Sequence, residues 1–387
     1  MKIVADENIP LLNAFFQSIG DITTYPGREI GPEQVADADI LLVRSVTQVN
    51  QTLLANSSVR FVGTCTIGTD HIDLAYLEEQ GINFAAAPGC NANAVVEYVV
   101  SVLDVLAEQQ GFNWQDKVMG VVGKGNVGDR LYQALIKLGV TCLVNDPILE
   151  ATEENESCEY VSLDQLLAES DIVTLHTPLT EAGDYPTYHL LDAARLDQLK
   201  PNAILINASR GAVVDNQALM SSLLAGKPLT VALDVWEQEP EINRQLLPLI
   251  TIATPHIAGY SVDGKIAGTE MVYRAICRAF GLPSRVRVEG IKPLPKLKAL
   301  SFSSDASLEE VLSTSIRSVY DVRQDDALFR NSLRALAEDA STAQVFDSLR
   351  KHYRSRREFS TVKIKIKKCS GKVSSALKAL NFNIVTV

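Results

Sequence analysis

The chain has none of the usual sequence marks of a metal centre. Its six cysteines (Cys65, Cys90, Cys142, Cys158, Cys277 and Cys369) include no CxxC pair, and its five histidines form no HExxH. No zinc site and no disulfide framework are therefore expected, and the thiols read as buried side chains. There is no apolar stretch long enough to span a bilayer. The start, Met1-Lys-Ile-Val-Ala5, enters a strand-like segment directly and does not read as a signal peptide. Positive charge is in deficit: 36 Lys and Arg against 47 Asp and Glu give a net charge of -11. That balance argues against overall attraction to nucleic acid or an anionic membrane. Low-complexity tracts are absent as well. The expectation is a cytoplasmic protein with no bound metal, no nucleic-acid partner and no membrane partner.

What the chain does have is a repeated alternation of apolar runs and helical patterns. Its 387 residues exceed one typical core, so two or three domains are expected. Residues 2–5, 40–43, 61–64 and 82–85 read as strands separated by helical segments, which predicts a small parallel sheet. Asn91 or Asn93 can cap a long helix reaching about Gln110, with Val95, Val96, Val99, Val102, Leu103 and Leu106 on its apolar face. A second series follows at residues 118–122, 141–144, 172–175, 203–206, 230–233 and 250–253. Five or six parallel strands with helices between them make a doubly wound domain. Residues 282–298, with prolines and basic side chains, read as a linker. Beyond it, helical patterns at 308–319, 326–338 and 343–352 and strand-like runs at 361–366 and 383–387 predict a separate α+β domain. The expected class is α/β: two Rossmann-like doubly wound parallel sheets and a C-terminal α+β domain. The division is 1–92 with 257–281, then 93–256, then 282–387.

Gly123-Lys124-Gly125-Asn126-Val127-Gly128 matches the GxGxxG pattern, with a strand before it and a helix after it. In that setting the first Gly makes the turn, the second admits a pyrophosphate and the third lets helix and strand pack. The helix N-terminus then meets the phosphates. Asp146, 18 residues past Gly128, ends the next strand and can accept hydrogen bonds from both adenosine ribose hydroxyls. With no arginine directly after it, NAD is favoured over NADP. Lys124 is unusual in this loop, where small or apolar side chains are the rule.

Three further strand ends carry charged groups: Asn207-Ala208-Ser209-Arg210-Gly211, Asp234-Val-Trp-Glu-Gln-Glu239-Pro240 and Thr254-Pro-His256-Ile-Ala-Gly259-Tyr260. Open α/β sheets bind ligands at such ends. Taken singly, Arg210 reads equally well as a surface ion-pair residue, Glu239 as a solvated loop charge and His256 as a structural histidine. Together they supply a guanidinium to grip a carboxylate, an imidazole to take a hydroxyl proton and a carboxylate to hold the imidazole. Asp234 can bind a nicotinamide carboxamide. His176 competes for the role of base or packs beside the cofactor, and Thr177 is better placed to touch it.

The order GxGxxG, HTPL, NASRG, DVWxxEP and PHIAG resembles the D-isomer-specific 2-hydroxyacid dehydrogenases over about residues 1–280. A narrower likeness points to one branch of that family, which acts on a phosphorylated 2-hydroxy sugar acid in vitamin B6 biosynthesis. Asp6-Glu-Asn8, Val43-Arg-Ser45-Val-Thr47, Gly63-Thr-Cys-Thr66, Ala87-Pro-Gly-Cys-Asn91 and Arg356-Arg-Glu-Phe359 carry it. The resemblance implies Arg210, Glu239 and His256 as catalytic residues, and Ser45, Thr66 and Tyr260 as substrate contacts. Around NAD it implies Asp146, Thr177, Ala208, Ser209, Arg210, Asp234 and Gly259. The tail resembles that branch's dimerisation domain, so a homodimer is expected. It departs from the pattern at Lys363, Lys365, Lys367 and Lys368, a basic run that reads as a solvated edge. Two alternatives stay open: another D-2-hydroxyacid dehydrogenase, of the 3-phosphoglycerate or D-lactate kind, and a non-catalytic NAD sensor like the corepressors built on this fold.

Overall fold

The computed structural model describes residues 1–152, 158–337, 340–367 and 370–386. Glu338, Lys368, Cys369 and Val387, which the sequence reading placed in a helix, a basic run, a buried thiol and a strand, lie outside the described residues. The chain groups into two compact units, Met1–Ala92 with Tyr260–Leu294 and Asn93–Gly259 with Pro295–Val387.

In the first unit the strands are β1 (Lys2–Asp6), β2 (Asp21–Tyr25), β3 (Ile40–Val43), β4 (Phe61–Thr64) and β5 (Asn83–Ala85). They form one parallel sheet in the order β2-β1-β3-β4-β5. β3 and β4 are buried along their whole length, as runs of Ile, Leu, Val and Phe in a parallel sheet should be. Edge strand β2 escapes sequence reading because Asp-Ile-Thr-Thr-Tyr is largely exposed and contains no apolar run. The helix Val262–Ala279 packs on β4, and its Tyr273 ring meets Phe15 and Phe16 in the core. The first part of the supposed linker is held to that helix. The N–H groups of Arg285 and Val286 donate to the Tyr273 hydroxyl at 2.9 and 3.2 Å, and Lys292 pairs with Asp263.

In the second unit six parallel strands follow: β6 (Met119–Val122), β7 (Cys142–Asn145), β8 (Ile172–Leu175), β9 (Ile204–Asn207), β10 (Thr230–Leu233) and β11 (Ile252–Ala253). Their order, β11-β10-β9-β8-β6-β7, reverses direction of winding between β6 and β8. Ligands bind outside the carboxyl ends of strands at such a reversal. The helix Ala92–Gln110 is buried on more than its expected face, since Tyr98, Val100, Ser101 and Val105 are as enclosed as Val99 and Leu103.

The tail contributes a third sheet, β12 (Ala299–Phe302), β13 (Lys363–Ile366) and β14 (Asn383–Thr386), parallel in the order β12-β13-β14. β12 was not expected; its Ala-Leu-Ser-Phe is only half-buried and follows a proline-rich stretch. β13 is the central strand, which corrects the reading of the lysine run as an edge. Ile364 and Ile366 face the core while Lys363 and Lys365 alternate with them on the open face, the strand period of two. The tail also holds the helices Leu308–Val319, Val322–Arg334, Ala343–Lys351 and Gly371–Ala379, and the second lies along β11. Phe329, Leu333 and Phe346 from the second and third of these helices share one core with Leu233, Trp236 and Ala253 of the six-stranded sheet.

The shared core predicts that tail and six-stranded sheet unfold together. Phe329, fully buried between the rings of Trp236 and Phe346, is the test position. Phe329→Ala should lower the unfolding free energy by about 3–5 kcal/mol in urea titration, with a single transition for this unit. A separate tail transition, with the sheet's midpoint unmoved, contradicts this.

Candidate active site

β6 delivers the chain into the glycine loop. Gly125 caps the helix Asn126–Lys137, and a Cβ on it would meet open space. Gly128 has no such freedom, because a Cβ there would lie 1.9 Å from the Gly123 carbonyl oxygen. Helix and loop touch only because that position is glycine. The Lys124 N–H donates to Asp146 Oδ2 at 2.8 Å, while Asp146 Oδ1 accepts from Leu149 N–H at 3.1 Å. The unusual lysine turns its ammonium to Asp129, 3.0 Å away, above the Tyr132 ring. Thr177 Oγ1 is buried with no hydrogen-bond partner. A helix N-terminus with an open glycine, a carboxylate at the end of β7 and an unsatisfied buried hydroxyl fit the phosphates, ribose and amide of a dinucleotide. Asn126 and Val127, in the first turn of that helix, put their N–H groups among its unpaired donors.

Beyond β9, Asn207 folds the next loop on itself. Its Nδ2 donates to the Arg210 carbonyl at 2.9 Å, and its Oδ1 accepts from Ser209 N–H at 3.1 Å and Ser209 Oγ at 2.9 Å. The Arg210 guanidinium donates to the Ser209 carbonyl at 3.0 Å. Gly211 lies against the loop after β10, where a Cβ would come within 2.0 Å of the Trp236 carbonyl. Only glycine allows the loop carrying Ala208, Ser209 and Arg210 to lie on the one carrying Asp234 and Glu239.

Asp234, 1% exposed, is committed to the His256 segment. Its Oδ1 accepts from Thr254 Oγ1 at 2.6 Å and Ile257 N–H at 2.8 Å, and its Oδ2 from Ala258 N–H at 2.8 Å. Burial pushes its carboxyl above the usual range, partly offset by His256 and these donors. His256 itself has a left-handed backbone, φ 55°, rare for a residue with a Cβ, and its N–H donates to the Asp234 carbonyl at 2.6 Å. Its Nδ1 lies 2.7 Å from Glu239 Oε2. A carboxylate only accepts, so Nδ1 carries the hydrogen and the opposite face of the ring, Nε2, is left for chemistry. Glu239 Oε1 accepts from Trp236 N–H at 2.7 Å. Burial raises the Glu239 carboxyl, but the charge and hydrogen bond of His256, with the Trp236 N–H, outweigh it and hold the group below its usual value.

His176 has another environment. Its Nε2 lies 2.9 Å from Thr174 Oγ1, and desolvation pushes it down to about 3. Glu239, His256, Asp234, Arg210 and Thr177 all belong to the second unit. Ser45, Thr66 and Tyr260 belong to the first. Ser45 is exposed just after β3. Thr66 Oγ1 is 2.8 Å from Thr64 Oγ1, which lies 3.1 Å from His71 Nε2. The Lys265 ammonium sits 4.2 Å from the Tyr260 ring centroid. Gly259, next to Tyr260 in sequence, closes the second unit's part of the His256 loop.

Sequence reading missed several side chains around these loops. Thr254 bridges Asp234 to the Tyr98 hydroxyl, 2.9 Å away. His189 lies between two carboxylates, Glu237 at 2.6 Å and Asp215 at 3.6 Å, and so ties the loop before residue 190 to the one bearing Glu239. These three are the one group among the described residues with ligand atoms spaced for a metal. No short-range pattern flags them, because each partner lies at least 20 residues away in sequence.

Known proteins resemble this chain over most of its length. Residues 102–258 match the family described as D-isomer specific 2-hydroxyacid dehydrogenase, NAD binding domain. Residues 292–380 match a domain of unknown function, DUF3410. The chain is 50% identical over 384 residues to the erythronate-4-phosphate dehydrogenase of Hahella chejuensis, covering 99% of each. It is 50% identical over 388 residues to that of Pseudomonas entomophila, covering all of both. Among solved structures, D-lactate dehydrogenase from Aquifex aeolicus, complexed with NAD and lactic acid, aligns with a TM-score of 0.60 at 24% identity, over 73% of this chain and 96% of that one. The TT0316 protein from Thermus thermophilus aligns at 0.63 and 23% identity, over 73% and 98%. Among the described residues no helix is long and apolar enough to cross a membrane.

His176 and Glu239 predict a contrast in pH dependence. With its value near 3, His176 is neutral from pH 5 to 8, so His176→Asn should leave the shape of the pH–rate profile unchanged there. A lost or displaced limb contradicts this. Glu239 is depressed in the folded state, so its contribution to stability is complete above its unfolded value near 4.5 and fades only as pH falls through the lower folded value. Glu239→Gln should therefore lower the melting temperature at pH 7 and shrink that loss as pH drops below 4.5. An equal loss at every pH contradicts the assignment.

Proposed function

The chain belongs to the erythronate-4-phosphate dehydrogenase family, within the D-isomer-specific 2-hydroxyacid dehydrogenases, and we propose that it oxidises 4-phospho-D-erythronate at C2 with NAD. The product is 3-hydroxy-2-oxo-4-phosphobutanoate, an intermediate of pyridoxal 5′-phosphate synthesis. The observation that carries the mechanism is the 2.7 Å hydrogen bond between His256 Nδ1 and Glu239 Oε2.

NAD, when bound, takes the C2 hydrogen as hydride. His256 Nε2 takes the proton of the C2 hydroxyl as the C2–O bond becomes a carbonyl, and in reverse returns it. Glu239 fixes the ring's orientation and tautomer and, as a carboxylate, stabilises the imidazolium that forms. Arg210 grips the substrate carboxylate in two-pronged fashion and polarises the reacting oxygen. Asp234 holds the peptide that carries His256. Asp146 binds the adenosine ribose, and Thr177 spends its unsatisfied hydroxyl on the cofactor. Gly123, Gly125, Asn126, Val127 and Gly128 meet the pyrophosphate, while Ala208, Ser209 and Gly259 line the remainder. Ser45, Thr66 and Tyr260 recognise the phosphorylated acid. Residues 1–92 with 257–281 serve substrate, 93–256 serve cofactor, and 282–387 join two copies as a homodimer in the cytoplasm.

His256→Asn should lower kcat by about 10²–10⁴-fold while NAD affinity, by fluorescence titration, stays nearly constant. Assayed side by side, 4-phospho-D-erythronate should be strongly preferred over 3-phosphoglycerate and D-lactate. A clear preference for either of those acids overturns the substrate. NAD binding without oxidation of any of the three makes the protein a sensor.

A further inference from the structure

The tail meets the loops that carry His256 and Glu239 at four points within the second unit. Strand β11 is an edge of its sheet, so one side of its backbone lacks a strand partner. The Ala253 N–H donates to Asp326 at 2.7 Å, and Arg330 donates to the carbonyls of Leu247 and Ile250 at 2.9 and 2.7 Å. After Glu239, Thr342 Oγ1 donates to the Pro240 carbonyl at 2.9 Å and accepts from the Ile242 N–H at 3.0 Å. Phe329 packs on Trp236, whose N–H holds Glu239.

The fourth point is Arg356, whose side chain is fully buried. Its Nη1 donates to the Ala258 carbonyl at 3.0 Å and its Nη2 to the Ala94 carbonyl at 2.6 Å. Glu97 lies 3.5 Å away as counter-ion, also accepting the Phe359 N–H at 2.6 Å, and the Tyr320 ring lies 3.6 Å beneath the guanidinium. The peptide after His256 is therefore held from both ends. Asp234 takes the N–H groups of Ile257 and Ala258, and Arg356 takes the Ala258 carbonyl. Here each carbonyl meets its own nitrogen of one rigid, planar guanidinium, whereas an ammonium presents all its donors from a single nitrogen. Tyr320 and Asp326 stand in the segment that matches a domain of unknown function.

We propose that this segment is an internal brace of the active site in its own chain, with Arg356 as the positioning residue for the His256–Ala258 peptide. This rests on His256 being the proton acceptor, as set out under the proposed function. The tail then does more than join copies: it fixes the backbone from which the base projects.

The test uses the full-length chain with Arg356→Lys, which keeps the charge beside Glu97 but replaces the two carbonyl-bound nitrogens by one, and Thr342→Val, which removes the second contact at constant size. Both are compared with wild type by hydrogen–deuterium exchange, kcat, KM for NAD, and the isotope effect from 4-phospho-D-erythronate deuterated at C2. In Arg356→Lys the Ile257 and Ala258 amides should exchange at least tenfold faster. In both variants kcat should fall on the order of 10- to 100-fold, KM for NAD should stay constant, and the isotope effect should rise as hydride transfer becomes limiting. Wild-type exchange at those amides in folded Arg356→Lys, or wild-type kcat and isotope effect in both variants, overturns the proposal. Should Arg356→Lys not fold, Thr342→Val decides alone. The exchange measurement needs no substrate, so a wrong substrate assignment shows in wild-type turnover and leaves the test of the brace intact.

Discussion

A buried carboxylate organises the candidate site. Asp234 ends β10 almost without solvent contact and accepts hydrogen bonds from Thr254, Ile257 and Ala258. Those bonds bend the chain around His256, which holds a left-handed backbone that few residues with a Cβ adopt. A carboxylate in that position would be costly without donors, since burial favours its neutral form. Because two of these donors are main-chain N–H groups of the very segment that carries the imidazole, the cost is offset only while that segment keeps its shape. Glu239 then closes the arrangement from the adjoining loop, held by Trp236 N–H on one oxygen and His256 on the other.

Two histidines at strand ends of one sheet thus come to differ in chemistry through their surroundings alone. His256 faces a carboxylate kept ionised by its partners; His176 faces a threonine hydroxyl and is driven neutral by desolvation. Pushing titratable groups apart in this way is how one fold assigns acid, base and bystander. Lys124 is likewise settled by a neighbour: its ammonium, in a phosphate loop, would look like a ligand but is paired with Asp129.

Much of this was legible in the residues, and the reasons for what was not are physical. The buried parallel strands announce themselves as apolar runs, and the glycine loop, Asp146 and the three strand-end motifs lie where those runs stop. β2 and β12 were hidden because half-exposed edge strands carry no such run. The lysines near residue 365 suggested an edge because sequence shows alternation but not neighbours; two strands flank β13. The linker reading of residues 282–298 missed the Tyr273 hydroxyl, which captures its start. Least visible was the folding of the tail onto the loops that carry His256 and Glu239. Asp326 meets Ala253, Arg356 meets Ala258 and Phe359 meets Glu97 across 73, 98 and 262 residues, distances at which periodicity and spacing carry no signal.

Direct hydride transfer from C2 of a phosphorylated 2-hydroxy acid to NAD can be followed by isotope. With 4-phospho-D-erythronate deuterated at C2, wild-type protein should deliver the deuterium to C4 of the nicotinamide, seen by mass spectrometry and proton NMR as singly deuterated NADH with none in water. Deuterium released to solvent, or NADH formed without label, contradicts it.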